Sequence, residues 1–469
     1  MNSTKVIVTI GPEDYDSNKI KELFTCGMDV IRLNMSYCSQ NFCKKVLNDV
    51  KQINKEFSKK LAVLLDIAGP ELKIGEIEGN KVTLNQGDKI RLYMDDIVGD
   101  MTKFSVNYKD LIKDVVINDK IKINNGNITL DILEKGTNYL LCEVLNSGEI
   151  KTGTTFTIPG RKINMPFLNQ KDIDDITFAS TNHCDFIALS FVSSPDDVLD
   201  VSDLLIELNN NHLDILTKVE NQDAYDEIDE IIKLSDGIIV ARGDLGAAVA
   251  MEEVPLMQKE IISKCHREGK ISIVSTSFLG NDENNLVPTR AEVSDVSNAV
   301  LDGADVIILN DDCLNNKYQV EVVKTLEKII HATENSELIH TNKIYPLIAK
   351  DITSSVAYSA LTCAENLECV AIVAPTMSGY TAKKLSNLKP NCPIIAISPN
   401  LDTAKNLSLY YGVYPVVSPD VKTFDDVIKV ARTCVMSMMK VEENSKIVIT
   451  GGYPFNNVKH TNFMKIEEL

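Results

Sequence analysis

Leu216-Thr217-Lys218-Val219-Glu220-Asn221 closes the apolar run Asp214–Val219, which reads as a short strand buried on both faces. A second run, Gly237–Val240, is followed by Ala241-Arg242-Gly243-Asp244-Leu245-Gly246. Each therefore carries charge where a parallel strand ends. Lys and Glu are almost never fully buried without a partner or a metal, and leaving such charges unpaired in a core is costly. Two readings follow: a structural ion-pair network, or a site for a cation and an anionic substrate.

Outward from these strands the same rhythm continues. Apolar runs at 5–10, 30–34 and 61–67 alternate with helical patterns, one with Ser17 as cap and Gly27 as stop, another over 40–57. Further runs at 186–191, 214–219, 237–242, 272–276 and 306–310 bring the count to eight strand–helix units. Eight such units predict a (β/α)8 TIM barrel, whose chemistry sits at the C-terminal strand ends. That rule selects Arg32, Asn34, Asp66, Lys218, Glu220, Asp244, Thr276 and Asp312 together.

The rhythm is interrupted between 69 and 164, where short alternating segments at 76–84, 89–94, 120–123, 127–133 and 139–145 are separated by turns at Gly79-Asn80, Asn125-Gly126 and Ser147-Gly148. This predicts a small inserted β-barrel or sandwich. Residues 338–344 read as a linker, and runs at 369–374, 393–397, 414–417 and 446–450 predict a C-terminal open α/β unit. The expected domains are a barrel from 1–68 and 165–340, an inserted β-domain from 69–164, and a C-terminal α/β domain from 345–469.

A chain of 469 residues is long enough for roughly three domains of ordinary size. Its net charge of −19 argues against nonspecific binding to nucleic acid or an anionic membrane, so an anionic ligand must be held by local cations or a metal. Eleven cysteines without paired spacing suit reduced thiols of a cytoplasmic protein, and no apolar run reaches membrane-spanning length.

Glu220 and Asp244 are hard oxygen ligands for Mg2+ or Mn2+, and Lys218 beside them is a point charge for a transferring phosphoryl group. Arg32 suits bidentate contact with phosphate or carboxylate. Asn34, Ser36 and Asp66 offer oxygens for a monovalent cation. The structural alternatives are an Arg32–Asp66 ion pair, a helix cap from Asn34 and Ser36, and a Thr276 hydroxyl satisfied by backbone. After the first C-terminal strand, Val373-Ala374-Pro375-Thr376-Met377-Ser378-Gly379-Tyr380-Thr381 opens a helix with several hydroxyls, suited either to a phosphate or to a plain cap.

Together, Thr9-Ile10-Gly11-Pro12, Ile31-Arg32-Leu33-Asn34-Met35-Ser36, Leu65-Asp66 through Gly69-Pro70-Glu71, Lys218-Val219-Glu220-Asn221, Ala241 to Gly246 and Pro288-Thr289-Arg290-Ala291-Glu292 resemble the ordered motif set of the pyruvate kinase family. The resemblance runs through Thr461-Asn462-Phe463-Met464-Lys465-Ile466 at the C-terminus. It implies transfer of a phosphoryl group from phosphoenolpyruvate to ADP, giving pyruvate and ATP, in a homotetramer whose inserted β-domain acts as a lid and whose C-terminal α/β domain regulates. It further implies that Lys218 stabilises the transferring group and that Glu220 and Asp244 hold Mg2+. Arg32 contacts phosphate, while Gly243, Asp244 and Thr276 frame the substrate. Asn34, Ser36, Asp66 and the Ile67 carbonyl hold K+, a requirement that Glu71 favours. Asn34 and Lys73 face the nucleotide, and a sugar phosphate or nucleotide effector binds at Thr376, Ser378, Gly379, Tyr380 and Thr381.

Several positions depart from that pattern. Asp-Thr-Lys-Gly-Pro reads Asp66-Ile67-Ala68-Gly69-Pro70, His-Gly reads Tyr37-Cys38, and arginines are replaced by Lys73 and Ser193, while a basic position holds Thr154. Ala-Thr-Gln-Met-Leu-Glu-Ser becomes Ser275-Thr276-Ser277-Phe278-Leu279-Gly280-Asn281, and Ser-Gly-Glu-Thr-Ala-x-Gly becomes Asn310-Asp311-Asp312-Cys313-Leu314-Asn315-Asn316. These changes predict retained phosphoryl transfer with weakened enolate protonation and nucleotide affinity. Two alternatives stand beside this reading. One is a degenerate paralogue that binds ligands and turns over slowly or not at all. The other is an aldolase-like barrel enzyme, disfavoured because none of the six histidines lies at a strand end.

Overall fold

A computed structural model describes the chain except residues 14, 125, 162, 211, 280–285, 312–317, 342–350, 419–422 and 455–459. The readings on Asn125, Gly280, Asn281, Asp312 to Asn316 and the end of the linker at 344 lie outside the described residues.

Eight parallel strands close into a barrel in the order Lys5–Thr9, Val306–Leu309, Ile271–Thr276, Gly237–Val240, Asp214–Val219, Phe186–Leu189, Ala62–Asp66 and Val30–Asn34. Runs of Val, Ile and Leu buried on both faces make these strands. Two of them, Phe186–Leu189 and Gly237–Val240, end two residues sooner than the sequence predicts. Phe191 turns away with φ 59, and Arg242 opens the helix Arg242–Ala248. The first helix, Ser17–Cys26, is capped by Asp16, whose carboxylate accepts the Asn18 N–H at 2.9 Å. Ser17, expected as the cap, is instead its first residue and donates to Asp49 at 2.7 Å. Gly27 ends this helix as expected, at φ 136.

The segment between Asp66 and the helix Gln170–Thr181 forms a six-stranded sheet and a two-stranded pair, Lys81–Leu84 with Gly148–Lys151. The two sheets wrap one core that includes Leu84, Leu92, Phe104, Leu130 and Ile150, in keeping with the expected small barrel or sandwich. Lys103–Ser105, Gly148–Lys151 and Phe156–Thr157 are strands that the apolar pattern missed, two or three alternations being too few to register.

The C-terminal sheet runs Val413–Val417, Ile394–Ser398, Ala371–Pro375, Lys446–Gly451 and Phe463–Glu468, the last antiparallel. This unit seats on the barrel floor. Apolar side chains inside the barrel, such as Leu64, Phe186 and Ile273, continue into one core with Ala360, Leu361 and Leu407.

Four aspartates just before barrel strands stitch the floor. Asp29, Asp185, Asp236 and Asp305 each accept the backbone N–H of the second residue of the neighbouring strand: Val6 (3.0 Å), Val63 (2.9 Å), Ile215 (2.9 Å) and Ser272 (2.8 Å). C-terminal lysines meet the same floor. Lys405 pairs with Asp185 at 2.6 Å, Lys389 pairs with Asp305, and Lys383 lies 3.7 Å from Asp214.

A cavity of about 280 Å³ lies between the inserted unit and the barrel mouth, and one of about 180 Å³ on the floor is lined by Lys5, Asp29, Lys59, Glu327 and Tyr414. Burial, reinforced by Asp29, pushes the Glu327 carboxyl up to about 7 from an ordinary 4.5, against the pull of Lys59 and Lys5. A carboxyl raised by folding supports the fold below its unfolded pKa and loses that support as pH climbs through its folded one, here between 4.5 and about 7. Glu327→Gln is therefore expected to match the parent in thermal midpoint near the acid end of that window and to exceed it increasingly up to neutral pH. A midpoint difference that stays constant with pH contradicts this.

Candidate active site

At the C-terminal mouth of the barrel, Lys218, last but one in its strand, has its ammonium 2.7 Å from Glu220 Oε1, 2.9 Å from Ser190 Oγ and 3.7 Å from Asp66 Oδ2. Burial alone would lower its pKa, but Asp66 and Glu220 outweigh that and keep it charged. Asp66 responds in kind. Burial would raise it, yet Lys218 and Arg32 hold it below the usual carboxylate range.

Register brings Asn34 opposite Asp66 across the strands Val30–Asn34 and Ala62–Asp66. Arg32, on the same strand, donates from Nε to Asp66 Oδ2 at 2.7 Å and pairs through its second terminal nitrogen at 2.7 Å. The ion pair offered as an alternative therefore exists, and it points the remaining guanidinium edge towards the mouth. That edge donates to Thr9 Oγ1 at 3.0 Å and Asp311 Oδ1 at 2.8 Å. Asn34 and Ser36 do not cap the following helix. Ser39 does, while Asn34 Oδ1 accepts the Ser36 N–H at 2.9 Å.

Glu220 is placed by strained backbone. Phe191, held in the left-handed region, donates its N–H to Glu220 Oε2 at 2.6 Å. Gly69 is also fixed here, because at φ 68 a Cβ would stand 2.4 Å from the Ser190 carbonyl oxygen. Burial drives the Glu220 carboxyl upward; Lys218 opposes this, and the like charge of Asp244 adds to it.

Among the described residues no group of three or more His, Cys, Asp or Glu gathers for a metal. Glu220 and Asp244 beside a buried ammonium nevertheless suit Mg2+, which takes one or two protein carboxylates and fills its other positions with water and substrate oxygens. Gly243 is the second residue of the helix bearing Asp244, and a Cβ there would meet nothing within 4 Å, which leaves space above the helix start.

Thr276 donates its hydroxyl to Asp295 Oδ2 at 3.1 Å rather than to backbone. Arg242 grips that carboxylate with both terminal nitrogens and donates from Nε to the Ser275 carbonyl at 2.9 Å. Lys73 pairs with Glu71 at the edge of the inserted unit. In the C-terminal loop, Thr376 Oγ1 accepts the Gly379 N–H at 3.0 Å, and Thr381 shares a 2.8 Å hydrogen bond with Thr461. Ser378 is exposed, and Tyr380 begins the helix.

Ser190, Thr9, Asp295, Arg242 and Asp311 escaped the sequence reading as site residues. The rule of strand C-terminal ends could have found Ser190, directly after its strand, and Arg242, two residues past the end of its own; Asp295 lies on a helix and carries no such signal.

Fold and strand-end chemistry together define a (β/α)8-barrel enzyme with an inserted β unit and a C-terminal α/β unit. The family model "pyruvate kinase, barrel domain" matches residues 1–323 and "pyruvate kinase, alpha/beta domain" matches residues 354–467. A pyruvate kinase of Staphylococcus saprophyticus is 37% identical over 474 residues, spanning 99% of this chain and 80% of that protein. One from Geobacillus stearothermophilus is 37% identical over 472 residues with the same coverage. A crystal structure of a pyruvate kinase from Cryptosporidium parvum superposes with a TM-score of 0.90 at 30% identity, covering 100% of this chain and 96% of that one. The chain belongs to the pyruvate kinase family.

Proposed function

We propose that this chain transfers the phosphoryl group of phosphoenolpyruvate to ADP, releasing pyruvate and ATP. The observation that carries the proposal is Lys218, kept charged among Asp66, Glu220 and Ser190 and sharing Asp66 with Arg32. In this reading Arg32 binds the phosphate of the substrate, and Lys218 faces the group in transit, where negative charge shifts between oxygens. Gly243, Asp244 and Thr276 orient the carboxylate and enolate, with the Thr276 hydroxyl aimed by Asp295. Glu220 and Asp244 would hold Mg2+ or Mn2+, which supplies neutralisation of phosphate charge when bound. Asn34, Ser36, Asp66 and the Ile67 carbonyl would hold K+. ADP would lie in the cleft beneath the inserted β unit, near Asn34 and Lys73.

A phosphorylated effector at the loop of Thr376, Ser378, Gly379, Tyr380 and Thr381, a homotetrameric assembly, the three-domain division and a cytoplasmic location complete the reading. The free thiols of the described cysteines suit such a compartment. Among the described residues no helix is long and apolar enough to cross a membrane.

The test is pyruvate formation from phosphoenolpyruvate and ADP with Mg2+ and K+. Phosphoenolpyruvate-dependent pyruvate release is expected, with a raised KM for ADP; its absence overturns the proposal in favour of a paralogue that only binds ligands.

A further inference from the structure

Two departures from the family pattern touch one another. The family's loop after the last barrel strand places glycine where this chain has Asp311, and its histidine after the serine of the second strand is here Tyr37. Asp311 Oδ1 accepts from the Tyr37 hydroxyl at 2.8 Å and from Arg32 at 2.8 Å, while Oδ2 accepts the Asn34 amide at 3.1 Å. A guanidinium, an amide and a hydroxyl converging on one carboxylate make the kind of recognition that an anionic ligand receives.

The accounting at Arg32 makes the consequence specific. Of its five N–H bonds, two go to Asp66 from Nε and one terminal nitrogen and two to Thr9 and Asp311 from the other, leaving one uncommitted. Arg32 is buried, whereas the Asp311 side chain is 41% exposed and Tyr37 lies at the surface. The carboxylate thus covers the outward edge of a fixed cation and itself has solvent to move into.

We propose that Asp311 is a built-in competitor for the phosphate monoester of a small acid: it occupies the outward edge of Arg32 and Asn34, and substrate binds by displacing it. The inference rests on Arg32 receiving the substrate's phosphate, and the experiment separates the two claims. Phosphoenolpyruvate binding with Mg2+ and K+, without ADP, is measured calorimetrically for the parent, Asp311→Asn, Asp311→Ala, Tyr37→Phe and Arg32→Lys, alongside steady-state kinetics.

Removing a like charge from the binding edge is expected to tighten binding on the order of tenfold in both Asp311 variants. KM for phosphoenolpyruvate falls with them. Tyr37→Phe frees the carboxylate from one donor and tightens binding about twofold to threefold. A gain of affinity is an outcome that misfolding does not produce. Unchanged or weaker binding in both Asp311 variants, with Arg32→Lys weakened, overturns the displacement and leaves the role of Arg32 standing. Arg32→Lys binding as tightly as the parent overturns that role and the inference with it.

Discussion

Lys218→Met is expected to lower pyruvate formation by at least about 10³-fold, with phosphoenolpyruvate binding changed far less. The ammonium is the charge closest to both Glu220 and the Asp66–Arg32 pair. A preorganised cation facing a phosphoryl group in transit acts on the transition state more than on the bound substrate. Methionine matches the length of the lysine stem and leaves no cavity, and Arg32 still neutralises Asp66, so the fold should survive. The check is a coupled assay of parent and variant side by side, with calorimetric binding of phosphoenolpyruvate and a thermal melt on each. Residual turnover of a few per cent would remove Lys218 from the chemistry. A collapsed melt would instead mean that its three contacts serve stability.

The second large effect is structural. Lys389→Ala should destabilise the protein by about 3–5 kcal/mol, because it strips the partner from a fully buried carboxylate. Asp305 is shielded from water, and its other oxygen already accepts the Ser272 N–H at 2.8 Å and hydroxyl at 2.9 Å. Burial alone would raise its pKa, yet Lys389 and His266 keep it low. Lys389 also donates to the Gly303 carbonyl at 3.1 Å and stands 3.9 Å above the Tyr411 ring. The apparent thermal midpoint is expected to fall by on the order of ten degrees. Lys389→Met combined with Asp305→Asn should recover part of that fall, since the second change removes the stranded charge. A midpoint within two or so degrees of the parent for Lys389→Ala would show that water reaches Asp305.

The barrel was legible because parallel strands covered on both faces must be nearly continuous runs of apolar residues, and eight such runs leave few other closures. Lys218, Glu220 and Asp66 were legible for the same reason: charge directly abutting an apolar run stands out. Asp311 was not, because its three partners lie more than 270 residues earlier in sequence and only closure of the barrel brings them near. Phe463–Glu468 was missed because it is half exposed and charged, as an edge strand tolerates. The floor aspartates did carry a signal. Met28-Asp29-Val30-Ile31, Cys184-Asp185-Phe186-Ile187, Ser235-Asp236-Gly237-Ile238 and Ala304-Asp305-Val306-Ile307 share one pattern, an aspartate followed two residues later by isoleucine or its equivalent in a strand. The pattern is too short to see until the register gives it meaning.

Those aspartates also bear on how such a chain can change over generations. Asp185 and Asp305 each hold a barrel strand with one oxygen and a lysine of the C-terminal unit with the other. The two units are therefore not interchangeable cassettes. A C-terminal unit borrowed from a relative would have to bring its own cations at the positions of Lys389 and Lys405, or strand carboxylates inside the joint. Inheritance of one unit is tied to inheritance of the other.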